Sequence, residues 1–401
     1  MKILYLSTWF PYPPDNGSRI RAYYLLRALA ERHEVYLISL LQDDSKREDA
    51  AHLESFCKVW SLHESRWFKP GTLKSFLGFF STRPRFCVDT FDPAIKVAVA
   101  DAVERIAPDV IIASTLGVVE YVPDDPNVAS VLDEHNCEYA VVKRAAEERT
   151  GALTRFRYDL GWRKFARWEA ERCRRFDAVA MVSEQDMESL LCAGPDLRNL
   201  QIISNGVDIE RFDPSRWSPE RGMLIYNGAL TYGPNLGAAE YYASEIYPIL
   251  KERLPDVRLQ ITGRTTGVDL RGVEDCPGIE LTGYVGDIRD VLYKSAACVV
   301  PLMHGGGSRL KILEAMAAGV PVVSTSKGAE GMEHTAGEHL LIADGPREFA
   351  EAVERVLTDP DLAGSLAANA RTLVEERYSW KTISDSFADL VERAVAEGKT
   401  S

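Results

Sequence analysis

Residues 297–325 read ACVVPLMHGGGSRLKILEAMAAGVPVVST and constrain the chain more than any other stretch. Cys298, Val299 and Val300 make a short strand that Pro301 ends, because proline cannot donate to a ladder. Gly305, Gly306 and Gly307 then form a loop without Cβ atoms, where a ligand can approach the backbone. Ser308 takes the N-cap position, and Leu310, Leu313 and Ala317 recur on one helical face. Gly319 stops that helix, Pro321 follows, and Val322 and Val323 begin another strand.

A glycine loop feeding a helix N-terminus leaves amides and the positive end of the helix dipole facing one point, which suits an anion. Arg309 and Lys311 add two cations suited to a diphosphate, and Glu314 is one and a half turns in, where it can accept from hydroxyls such as those of a ribose. A surface strand–helix–strand turn whose glycines serve only packing is the other reading.

These residues carry a resemblance. The run GGGSRLKILEAMAAGVPVVST with Gly328–Met332 (GAEGM) resembles the nucleotide-sugar signature of glycosyltransferase family 4, a group of retaining enzymes with the GT-B fold. The resemblance implies an α/β architecture of two Rossmann-like, doubly wound domains facing across a cleft. Many members carry two glutamates eight positions apart. The second matches Glu314, but the first falls on Gly306, so this chain is similar to the branch written G-x-G-x-R-L-K-x-L-E-A.

At 401 residues the chain suits two domains of roughly 200. The boundary is set near Asn205-Gly206-Val207-Asp208, which is similar to a segment near the family's interdomain crossover and opens a polar, proline-bearing run. The expected division is 1–203, acceptor-side, and 204–380, nucleotide-sugar-binding, with a last helix over 381–401 packing back on the first domain. A net charge of −13 argues against nucleic-acid binding. Seven cysteines without a C-x-x-C pair point to reduced, mostly buried thiols rather than a disulfide framework or zinc site. The opening MKILYLSTWFPYPP is short for a signal peptide and reads as a strand, and no run approaches about 18 apolar residues, so a cytoplasmic protein is expected.

In the first half, KILYLS and VYLISL read as buried parallel strands around a helix from about Arg19 to Arg32. Gly17, in the loop between, permits close approach at a helix start, and the resemblance assigns that loop to donor phosphate or acceptor. Arg21 reads as a helix-surface cation. Trp60–Cys87 reads as an irregular insertion dense in aromatics and cations. Three readings stay open for it: aromatics packed on the domain, an apolar acceptor pocket, or contact with a membrane at its inner face. Strand VASVLDEHN ends in Asp133, Glu134, His135 and Asn136, and carboxyl ends of parallel strands are where such sheets bind ligands. By resemblance His135 lies near the donor sugar. Residues 154–175 form an arginine-rich helix, either a solvated face or a surface for anionic lipid or a pyrophosphate acceptor.

In the second half, strand MLIYN, loop GALTYGPN and a helix from about Leu236 to Arg253 start the next alternation. The family's basic residue in that loop is replaced by Tyr232, Pro234 and Asn235, which shifts phosphate binding toward Arg309 and Lys311. In IELTGYVGD, Tyr284 and Val285 match residues lining the family's nucleobase pocket; packing of Tyr284 as core is the alternative.

The resemblance implies metal-independent, retaining transfer from a nucleoside diphosphate-sugar, UDP or GDP, to a saccharide, lipid-linked or small-molecule acceptor, with no further cofactor. Catalytic candidates are His135, Lys311 and Glu314; donor-binding candidates are Gly17, Tyr284, Val285, Gly305, Gly306, Gly307, Ser308, Arg309, Lys311 and Glu314. A non-catalytic nucleotide-sugar-binding scaffold is the rival, kept open by Gly306.

Overall fold

A computed structural model describes residues 1–147, 152–305 and 309–398. The chain divides into two compact units, Met1–Ser204 with Ile383–Ser401, and Asn205–Thr382.

The first unit holds a seven-stranded, all-parallel sheet in the order β3-β2-β1-β4-β5-β6-β7. Its strands are β1 (Lys2–Ser7), β2 (Glu34–Leu41), β3 (Lys58–Glu64), β4 (Val110–Ser114), β5 (Ala129–Glu134), β6 (Ala178–Met181) and β7 (Leu200–Ile202). Every residue of β4 is buried, as an apolar run covered on both faces requires. The strand order reverses direction between β1 and β4, so the crevice beyond Ser7 and Ser114 is the topological switch point.

Two expectations change here. The stretch read as irregular from Trp60 instead begins inside β3, a parallel edge strand with a register shift beside Leu37 and Ile38. Arg21, read as a surface cation, is fully buried and paired with Asp133. It lies on the buried side of the helix Gly17–Arg32 with Leu25, where the Asp133 carboxylate offsets the cost of burying a guanidinium.

The second unit holds a six-stranded parallel sheet in the order β10-β9-β8-β11-β12-β13. Its strands are β8 (Met223–Asn227), β9 (Arg258–Thr262), β10 (Ile279–Gly283), β11 (Ala297–Val300), β12 (Val322–Ser324) and β13 (Leu341–Ile342). All four residues of β11 are buried. The switch point falls between β8 and β11. The helix expected over 236–253 is interrupted: α-helix Gly233–Tyr241 passes through a π-helical turn, Tyr242–Ile246, before Tyr247–Arg253. The last helix, Trp380–Gly398, belongs from Ile383 onward to the first unit, where Asp385 pairs with Arg32 and Glu392 with His33. Among the described residues, no helix is long and apolar enough to cross a membrane.

Candidate functional site

In the second unit the glycine loop leads into helix Leu310–Ala317, with Arg309 at its N-cap. Gly306, Gly307 and Ser308 lie outside the described residues. Ile312, Leu313, Ala315, Met316 and Ala317 are buried, which leaves Lys311 and Glu314, three apart, on the other face. Gly305 has a φ of 103°, and a Cβ there would sit 2.9 Å from Pro234. Gly305 therefore presses on loop GALTYGPN in a conformation that only glycine adopts without strain.

The Lys311 ammonium donates to Asn235 Oδ1 at 2.8 Å and to the Tyr226 hydroxyl at 3.3 Å, and sits 4.4 Å from the centre of the Tyr226 ring. Asn235 is held in turn by Tyr226, whose hydroxyl donates to Oδ1, and by its own amide donating to Ala229 O. Gly228 makes room for this arrangement: a Cβ there would lie 2.8 Å from Nζ. Burial pushes the Lys311 pKa down to about 7.

Glu314 accepts from Asn227 Nδ2 at 2.9 Å, and Asn227 Oδ1 accepts from Thr262 Oγ1 at 3.0 Å. The ends of β8 and β9 thus aim the carboxylate. Burial pushes the Glu314 pKa up to about 7, opposed by Arg211, which is paired with Asp287 at 3.5 Å, and by Lys311. A cation and a carboxylate are both held at the switch point in environments that disfavour their charges. Two groups shifted in this way beside each other mark a candidate functional site.

Arg309, expected as one of two cations for a diphosphate, also makes contacts within the protein. Its guanidinium is buried, donating to the carbonyls of Lys327 at 2.8 Å and Glu330 at 3.2 Å, so it braces loop 327–330. Tyr284 is 60% exposed, not packed as core, and Val285 is half-buried beside it.

In the first unit, His135 follows β5. Its Nε2 lies 3.1 Å from Asp133 Oδ2 and 3.2 Å from Ser114 Oγ, and its buried Nδ1 has no hydrogen-bond partner among the described residues. Burial opposes the Asp133 charge, yet Arg21 and His135 hold the carboxyl at about 2. The Arg21 Nε donates to Asp133 at 2.8 Å, and its Nη1 to Ser204 O at 3.0 Å. Gly17 is the first residue of its helix, after the Asn16 cap. The adjoining Ser18 lines a cavity of about 520 Å³ at the switch point, together with Thr8, Thr115, His135 and Glu138. Trp9, Trp67, Phe68 and Phe86 line it as well, giving one cavity both hydroxyl-binding groups and aromatic faces.

Glu138, Asn227 and Asn235 were not singled out as site residues. Burial and the neighbouring Asp186 push Glu138 up to about 7 where it lines the cavity. Asn227 closes a strand in an α/β alternation and Asn235 opens a helix, positions that face a switch point; that placement was their signal. Among the described residues, no group of three or more His, Cys, Asp or Glu is placed to hold a metal ion.

Two family models match: "Glycosyltransferase Family 4" over residues 15–211 and "Glycosyl transferases group 1" over residues 221–359. An uncharacterized 44.6 kDa protein in the cps region of Klebsiella pneumoniae is 22% identical over 398 residues, covering 96% of this chain and 98% of its own. Among solved structures, sucrose-phosphate synthase from Thermosynechococcus elongatus aligns with a TM-score of 0.72 at 17% identity, covering 99% of this chain and 100% of its own. Anabaena HepE in complex with UDP and glucose aligns at 0.69 and 16%, covering 98% and 100%.

Proposed function

Taking as premise that the chain belongs to the GT-B-fold glycosyltransferases, we propose that it transfers a sugar from a nucleoside diphosphate-sugar, UDP the foremost candidate, with retention and without a metal ion. The observation that carries this reading is the Lys311 ammonium, fixed 2.8 Å from Asn235 at the switch point of the second unit.

The C1–oxygen bond to the diphosphate breaks, the leaving group departs with the electron pair, and a bond forms between C1 and an acceptor hydroxyl oxygen. The acceptor proton passes to the departing phosphate. Lys311 and the amides of loop 305–308 stabilise the charge that develops, a contribution worth about 3–4 kcal/mol per donor removed in comparable sites. Arg309 serves by bracing loop 327–330. Glu314 accepts from the ribose hydroxyls, and Tyr284 and Val285 flank the base. The first unit takes the acceptor in its cavity, with His135 Nδ1 directed to a sugar hydroxyl. Retention rests on the family resemblance alone.

A non-catalytic nucleotide-sugar-binding role is the second reading because Gly306 stands where the motif of the resembled family commonly has glutamate. Release of free nucleotide from UDP- and GDP-sugars separates the two. Transferases hydrolyse donor slowly without acceptor, so release above the buffer rate that Lys311→Ala abolishes supports transfer. Saturable binding with no release from any donor, with or without saccharide and lipid-linked acceptors, favours the scaffold.

A further inference from the structure

Seven of the fourteen exposed large apolar side chains among the described residues fall between Trp67 and Phe80. Leu73 is 75% exposed, Phe76 56% and Phe80 80%, around the short helix Leu73–Leu77. A monomeric surface rarely concentrates apolar side chains this way without a partner.

The patch is built rather than loose. Phe76 meets Phe79 and Phe80 edge-on, with ring centroids 6.3 and 5.8 Å apart. Arg85 lies 4.0 Å from the Phe79 ring centre while donating to Ser75 O, Pro70 O and Ser75 Oγ. The Thr72 hydroxyl caps the helix by accepting from Ser75 N. Aromatics that could have turned inward are thus fixed outward.

Charge identifies the partner. Residues 66–85 carry Arg66, Lys69, Lys74, Arg83 and Arg85 and no acidic residue, in a chain of net charge −13. Arg66 pairs with Asp92 and Arg83 with Glu120, whereas neither the Lys69 nor the Lys74 ammonium is within ion-pair distance of a carboxylate among the described residues. The arginine-rich helix Ala152–Cys173 adjoins the patch, since Lys164 Nζ donates to Gly78 O at 2.8 Å. It adds exposed Leu160 one turn away, with exposed Arg163 and Arg167 nearby.

We propose that residues 67–80, with this helix, dock the first unit on an anionic lipid surface. Apolar rings enter the acyl boundary while lysines and arginines meet the headgroups, the balance by which interfacial segments bind. A protein partner would need acidic complementarity with a matching apolar face; a bilayer supplies both over any area. Trp67 and Phe68 belong to the patch and also line the His135 cavity, so docking sets the cavity mouth at the lipid. If the proposed transfer is correct, this favours an acceptor carried on a lipid.

The test is sedimentation of the full chain with phosphatidylcholine vesicles, neutral or containing about a third phosphatidylglycerol. The wild type should pellet with anionic vesicles alone. Lys69→Glu with Lys74→Glu, and separately Phe76→Ser with Phe80→Ser, should each weaken binding about tenfold or more. None of these four residues lines the cavity. Thermal shift by UDP, read on the same preparations, checks that each variant is folded and keeps the donor question separate. Absence of binding, equal binding to neutral vesicles, or wild-type binding by both double variants would overturn the docking surface. So would a wild-type dimer in solution that Phe76→Ser with Phe80→Ser dissolves, which would assign the patch to a second copy. Vesicle binding without any nucleotide shift would keep docking and retire the donor reading.

Discussion

Lys311 Nζ and Asn235 Oδ1 lie 2.8 Å apart, joining the helix after the glycine loop to the helix after β8. With its pKa pushed down to about 7 by burial, the lysine is largely neutral at pH 8. A bound pyrophosphate would restore its charge. UDP-glucose binding at pH 8 should therefore take up a proton, detected as a buffer-dependent heat in titration calorimetry. Lys311→Arg, always charged, should bind without that uptake.

Glu314 gives the opposite limb. Its pKa is raised to about 7, so it is largely protonated at pH 6 and a poorer acceptor for ribose hydroxyls. Affinity for UDP-glucose should fall below pH 7 in the wild type and lose that dependence in Glu314→Gln. The fall above pH 7 belongs to Lys311 and should vanish in Lys311→Arg. A nucleotide-sugar suits the measurement because its pyrophosphate does not titrate in this range.

The buried Arg21–Asp133 pair makes the first unit acid-sensitive. Asp133 is depressed to about 2, below its unfolded value, so its contribution is full above the unfolded pKa and is lost as pH falls through the folded one. That contribution is about 2 kcal/mol, vanishing between roughly pH 4 and pH 2. Asp133→Asn should cost about 3–5 kcal/mol at neutral pH, because it strands a buried guanidinium, and should flatten the acid limb of a stability-against-pH curve.

Glu134 carries the reverse sign. Burial and the Glu169 carboxyl raise its pKa well above normal. The stability it gives is present below the unfolded pKa and declines as pH rises toward the folded one. Glu134→Gln, which cannot ionise, should melt close to the wild type at pH 5 and above it at pH 9.

The second unit's alternation and the strand–loop–helix–strand stretch around Lys311 were legible because β11 and β12 are short, wholly apolar runs punctuated by glycine and proline. The helix 236–253 read as continuous because its apolar spacing does not reveal an extra residue per turn at Tyr242–Ile246. The buried settings of Arg21 and Arg309 were not legible, for one reason. A cation's partner is set by tertiary approach, here Asp133 from 112 residues away and the carbonyls of loop 327–330. The exposed aromatics around Phe76 were equally ambiguous, since periodicity cannot tell a patch facing solvent from one packed on the domain.

Thermal stability against UDP, GDP, ADP and dTDP, for the wild type and Lys311→Ala, tests the central assignment most directly. A ligand that binds only the folded state stabilises it by about 2.7 kcal/mol at a hundredfold excess over its dissociation constant. One base, UDP first, should raise the midpoint in the wild type, and the variant should lose most of that rise while melting cooperatively. No shift from any nucleotide at millimolar concentration, or an equal shift in Lys311→Ala, would contradict a diphosphate site at Lys311.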